Sequence, residues 1–222
     1  MRHGAGVGGT GAGKTWLMKL RNLIFAMLLV GLSATAPAAV DLSTPKSSAK
    51  SFYEAMTNAD SAAMRDCLVI EGADQEQLAK AFIDVILSGR KLAEAAKEKF
   101  GASGDKLASG AISREDASAI DAGSEFDDGD TATLTIKDAR PMKFRKTASG
   151  WKLILIDFAA QKKDSLPEQI KLLTSLSSAM NDTADDISAG RFPTSADAEA
   201  AIQQRFSEVM VKRYKPATTQ AK

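Results

Sequence analysis

The sequence predicts an α+β fold: N-terminal helices packed on a curved antiparallel sheet, with a C-terminal helical extension. Three observations carry this. Strand-like runs are concentrated in residues 131–158, and they are joined there by two short turns. The segments before and after that stretch place apolar residues three and four apart, the spacing of an amphipathic helix. Turn-forming clusters at residues 127–130 and 148–150 set off the strands from one another.

The elements follow in order. Val40 to Ser43 forms a linker. Thr44-Pro45 opens a first helix, with the threonine as N-cap and the proline in the first turn. Ala49, Phe52, Tyr53 and Met56 form its apolar stripe. Asp60 caps a second, short helix carrying Ala63, Met64, Cys67 and Leu68. Asp74 with Gln77 resembles a capping box for a third helix whose face is Leu78, Phe82, Val85 and Ile86. Ser88-Gly89 is expected to interrupt that helix before Leu92, Ala96 and Phe100 resume the pattern. Residues 101–113, rich in Gly, Ser and Ala, read as a loop, and a short strand is expected around Ala119-Ile120.

In the sheet, Ala132, Leu134 and Ile136 alternate with threonines, and Met142 and Phe144 alternate with Lys143 and Arg145. That is the period of a strand with one buried face. Trp151, Leu153 and Leu155 point one way, and Ile154, Ile156 and Phe158 the other. A strand apolar on both faces is expected to be central or covered. Beyond the sheet, Pro167 starts a helix with Ile170, Leu173, Leu176 and Met180 inward. A separate short polar helix is expected over 181–189, ending at Gly190. Thr194 with Asp197 caps a last helix carrying Ala198, Ala201, Ile202, Val209 and Met210, and residues 214–222 form a frayed basic tail.

Composition excludes some classes. The 222-residue chain is 44% hydrophobic and 26% charged, with a formal net charge of +1. Four basic residues and no acidic one precede residue 39, so the remainder carries −3. A mildly acidic body gives no electrostatic reason to expect nucleic acid or an anionic membrane as partner. The single cysteine, Cys67, cannot form an intramolecular disulfide, and the single histidine is His3.

The first 38 residues hold two competing signals. Gly8, Gly13, Lys14 and Thr15 complete the phosphate-loop pattern G-x-x-x-x-G-K-[ST]. The run Leu153-Ile154-Leu155-Ile156-Asp157 looks like the strand that ends in a magnesium-holding aspartate in such enzymes. Together they suggest a nucleotide hydrolase. Only seven residues precede Gly8, too few and too glycine-rich for the strand that must deliver the loop. From Met18 the chain instead has a basic start, the apolar run 23–32 and the small-residue site Ala36-Pro37-Ala38. That is a secretory leader, too short for the about 20 residues that span a bilayer. The expectation is export to the periplasm or beyond, cleavage after about Ala38, a true start at Met18 and a phosphate loop that is a decoy. Contact with membrane is then expected during export alone.

Residues 51–56 (Ser-Phe-Tyr-Glu-Ala-Met), then Asp60, Ala63-Met64 and Leu68-Val69, together with the closing Gly150-Trp151-Lys152-Leu153, resemble the opening helices and last strands of nuclear-transport-factor-2-like proteins. The likeness covers about 46–158. It implies a cone-like α+β domain over 40–160, with residues 165–213 as a helical extension outside the usual domain. Members of that superfamily include isomerases, dehydratases and non-enzymatic binding domains, so fold does not settle function. The resemblance implies carboxylate and tyrosine chemistry if the chain is an enzyme, for which Tyr53 and Asp157 are the candidates. A mature chain without histidine has no His acid–base step and no histidine metal ligand. The preferred expectation is a non-catalytic domain without cofactor or metal that binds an apolar small molecule or a protein partner. A homodimer through the sheet is compatible with the resemblance.

Overall fold

The computed structural model describes residues 39–104, 107, 114–137, 139–155 and 165–214. It is α+β. The element order is α1 (Pro45–Asn58), α2 (Ser61–Asp66), α3 (Ala73–Phe100), a 3-10 turn (Gly101–Ser103), α4 (Arg114–Ala122), β1 (Ser124–Asp128), β2 (Thr131–Thr135), β3 (Met142–Thr147), β4 (Gly150–Leu153), α5 (Leu166–Ser188) and α6 (Ser195–Tyr214). The four strands form an antiparallel meander in the order β1-β2-β3-β4.

Local chemistry explains most boundaries. Ser47 N–H donates to Thr44 Oγ1 (3.0 Å) and Ala63 N–H to Asp60 Oδ1 (2.9 Å), so both expected caps operate. At α5, Ser165 N–H donates to the Glu168 carboxylate at 3.0 Å, half of a reciprocal capping box around Pro167. At α6, Asp197 N–H donates to Thr194 Oγ1 (3.2 Å) and Thr194 N–H donates to Asp197 Oδ2 (3.1 Å).

Two hydrophobic clusters hold the molecule together. In the first, Ala132, Leu134, Phe144, Trp151 and Leu153 from the sheet meet Phe52 of α1, Met64 of α2, Leu78, Phe82 and Ile86 of α3, and Ile120 of α4. The rings of Phe52 and Phe82 stack with centroids 6.3 Å apart. In the second, Val85, Leu92 and Ala96 of α3 meet Leu176, Met180, Ala184 and Ile187 of α5, and Ala198 and Ile202 of α6. Helix α3 therefore serves both clusters. Contacts climb together along α3 and α5: Ser177 bonds to Ser88, Asn181 to Ser88, and Asp185 to Lys91. The two helices run in the same direction.

The structure corrects four expectations. Helix α3 passes through Ser88-Gly89 without a break. Both residues are buried there, and the Ser88 hydroxyl is satisfied by the Asp84 carbonyl (2.6 Å) and Ser177 Oγ (2.7 Å). The start of α3 is one residue before Asp74, with Gly72 as an N-cap that offers no side chain, so the expected capping box is absent. Ala119-Ile120 lies on a helix, with Ile120 pointing into the first cluster, and the additional strand is β1 just after it. Finally, residues 181–188 continue α5. Their polar character is used by neighbours: Asn181 by Ser88, Asp185 by Lys91, and Asp186 by Arg191 and Arg205.

The strand apolar on both faces ends earlier than its sequence run and lies at the end of the sheet order, not in its centre. Its outer edge is nonetheless occupied. Trp151 N–H donates to the Leu42 carbonyl (2.8 Å), Leu153 N–H to the Cys67 carbonyl (2.8 Å), and Val69 N–H to the Leu153 carbonyl (2.9 Å). The chain on either side of α1 and α2 covers what would otherwise be an open edge.

Candidate functional site

A groove of about 670 Å³ opens where the α2–α3 connection faces the β3–β4 hairpin. Its apolar lining is Leu68, Val69 and Ile70, and its charged lining is Arg65, Asp66, Glu71, Glu76 and Lys152. Each wall is fixed locally. The apolar lining is held in place by the bonds between Cys67, Val69 and Leu153 just described. The opposite wall is the two-residue turn Ala148-Ser149, closed by the Thr147 hydroxyl, which donates to the Gly150 carbonyl at 2.8 Å. Gly72 starts α3 at the mouth, and Glu71 N–H donates to Gln75 Oε1 at 2.8 Å.

Two of the rim charges hold each other, and a third is held from outside the groove. Arg65 donates from Nε and Nη2 to the two carboxylate oxygens of Glu76, at 3.0 and 2.7 Å. That two-pronged bond holds the Glu76 carboxyl below the usual carboxylate range and pushes the Arg65 guanidinium up. Arg145 Nη1 donates to Glu71 Oε1 at 2.6 Å. Among the described residues, Lys152 is paired with no carboxylate. Acidic Asp74 and Glu76 occupy the first turn of α3, where they offset the positive end of the helix dipole.

Cys67 lies directly behind the apolar lining and is fully buried. Burial pushes its thiol up to about 12, with Asp66 adding to the shift. The thiol stays protonated and acts as a small apolar filler rather than a nucleophile.

The candidates read from sequence are placed as follows. Tyr53 is half-buried on α1 against the first cluster and is not among the groove-lining residues. Asp157 lies outside the described residues, as do Gly8, Gly13, Lys14 and Thr15. The groove itself is absent from the sequence reading. Arg65 and Glu76 are eleven residues apart on different helices, and Arg145 and Glu71 are 74 apart. No local period links such partners. The signals that could have marked the place are the Ala148-Ser149 turn before Gly150 and Gly72 beside charged Glu71.

In comparisons with known proteins, no family model matches the chain, nor does any curated protein or solved structure.

Proposed function

We propose that the chain is an exported, non-catalytic binding domain of the cone-shaped α+β type, and that its ligand occupies the groove between the α2–α3 connection and the β3–β4 hairpin. The observation that carries this reading is the groove's construction: Leu68, Val69 and Ile70 line it, Arg65 and Glu76 hold each other at its rim, and Glu71 is held by Arg145 from outside the lining. A volume of about 670 Å³ is in the range of small-molecule sites. The matching ligand is a small molecule or short peptide end with an apolar body and a polar or charged terminus. Lys152 is the rim cation left to meet an anionic terminus. Support for export comes from the basic start, apolar run and Ala36-Pro37-Ala38 site before the folded part.

Titrating the isotope-labelled protein, residues 39–222, with a mixed set of fatty acids, small aromatic carboxylates and short apolar peptides tests this. Amide shifts are expected to cluster at 65–73 and 147–152, saturating with the most apolar carboxylates. Shifts that cluster elsewhere, or none at millimolar ligand, overturn the assignment of the groove.

A further inference from the structure

The apolar burial of α6 is thin: among its described side chains, Ala198, Ile202 and Met210 are buried, with Phe206 and Val209 partly covered. It packs on α5 as the second arm of a helical hairpin. Its outward residues bond within the helix, as Gln203 does to Glu199 and Gln204 to Glu208. Against that slight apolar contact stands one concentrated polar tie. Asp186, in the last turn of α5, has a side chain 13% exposed. Arg205 of α6 donates from Nη2 to its Oδ2 at 2.5 Å and from Nη1 to Thr183 Oγ1 at 2.7 Å. Arg191, from the connecting turn, donates to Oδ1. The backbone reinforces the turn: Arg191 N–H donates to the Asp186 carbonyl at 2.9 Å. One carboxylate thus joins the end of α5, the turn and the middle of α6.

We propose that Asp186 is a latch and that α6 is a releasable arm, detaching from α5 as a unit when this carboxylate no longer holds its arginines, while the sheet and α3 remain folded. The physical reason is asymmetry. A half-buried arginine left without its carboxylate is strongly destabilising, and α6 has little apolar burial to offset that loss. Helix α5, by contrast, is packed along α3 through Leu176, Met180, Ala184 and Ile187. Elements with few buried contacts open first, below the free energy of global unfolding.

Native-state hydrogen exchange of the full chain at neutral pH reads this directly. In Asp186→Asn, amides of 198–210 are expected to exchange about thirtyfold faster than in the parent, with amides of β2, β3 and α3 unchanged. Arg205→Met, which leaves Asp186 its Arg191 partner, is the second variant and is expected to act in the same direction on the same amides. Lys91→Met removes the exposed Lys91–Asp185 pair between α3 and α5 and is expected to leave α6 exchange at the parent rate. Exchange that rises equally in α6 and the sheet in both Asp186→Asn and Arg205→Met, or that rises in neither, overturns the latch.

Discussion

Phe144→Ala is expected to lower the unfolding free energy by about 4 kcal/mol, among the largest effects of any single truncation in this chain. Phe144 is fully buried on β3, opposite Ala132 of β2 and Leu153 of β4. The small Ala132 leaves room that the ring fills, so its removal opens a cavity in the middle of the first cluster rather than at a margin. The loss is transfer free energy plus the unfilled void. Urea denaturation checks it: the midpoint falls while the slope with denaturant stays constant. Phe144→Leu, which restores much of the volume, is expected to recover more than half of the loss. A loss below about 1 kcal/mol for the alanine variant would mean that the sheet and helices do not close on this side chain.

Gly150→Val is expected to cost about 3 kcal/mol or more, by a different mechanism. Gly150 has φ +112, and a Cβ there would lie 2.4 Å from the Leu42 carbonyl oxygen and 2.7 Å from the Leu42 Cβ. The side chain is forbidden twice, by its own backbone and by its neighbour. Relief requires moving residues 40–43 off β4, which breaks the bond from Trp151 N–H to Leu42. The expected signature is a lowered melting temperature together with proteolytic access at 40–43. Gly129→Ala is the contrasting case: φ is +74 but nothing lies within 4 Å, so only the backbone strain of about 1 kcal/mol remains. Equal effects at the two glycines would contradict the close approach of the N-terminal segment to β4.

What could be read from the sequence divides along physical lines. The strands β2 and β3 were legible because alternation of Ala132 and Leu134 with threonines, and of Phe144 with Lys143 and Arg145, reports a single buried face. Three of the helix starts were legible because a side chain does the capping at Thr44, Asp60 and Thr194, and a fourth because Pro167 marks a first turn. β1 was not, because all five of its residues are exposed and Phe126 is 71% exposed on it. A strand defined by its hairpin turn and its partner's backbone leaves no apolar period. The unbroken runs of α3 and α5 were hidden for a related reason: Ser88, Gly89, Asn181 and Asp186 look like helix breakers until the helix beside them supplies their partners. The groove was the least legible feature. It is made from the ends of elements, and its paired charges meet only after α2, α3 and the hairpin have come together.

Native mass spectrometry of the protein recovered from its own host tests the proposed export and the proposed ligand in the groove in one spectrum. The expected species is a chain beginning at Ala39 with an added non-covalent mass, and that mass is lost in Ala148→Trp, whose indole fills the groove from the β3–β4 turn. A chain still carrying residues 8–15, or an added mass that persists unchanged in Ala148→Trp, would contradict that expectation.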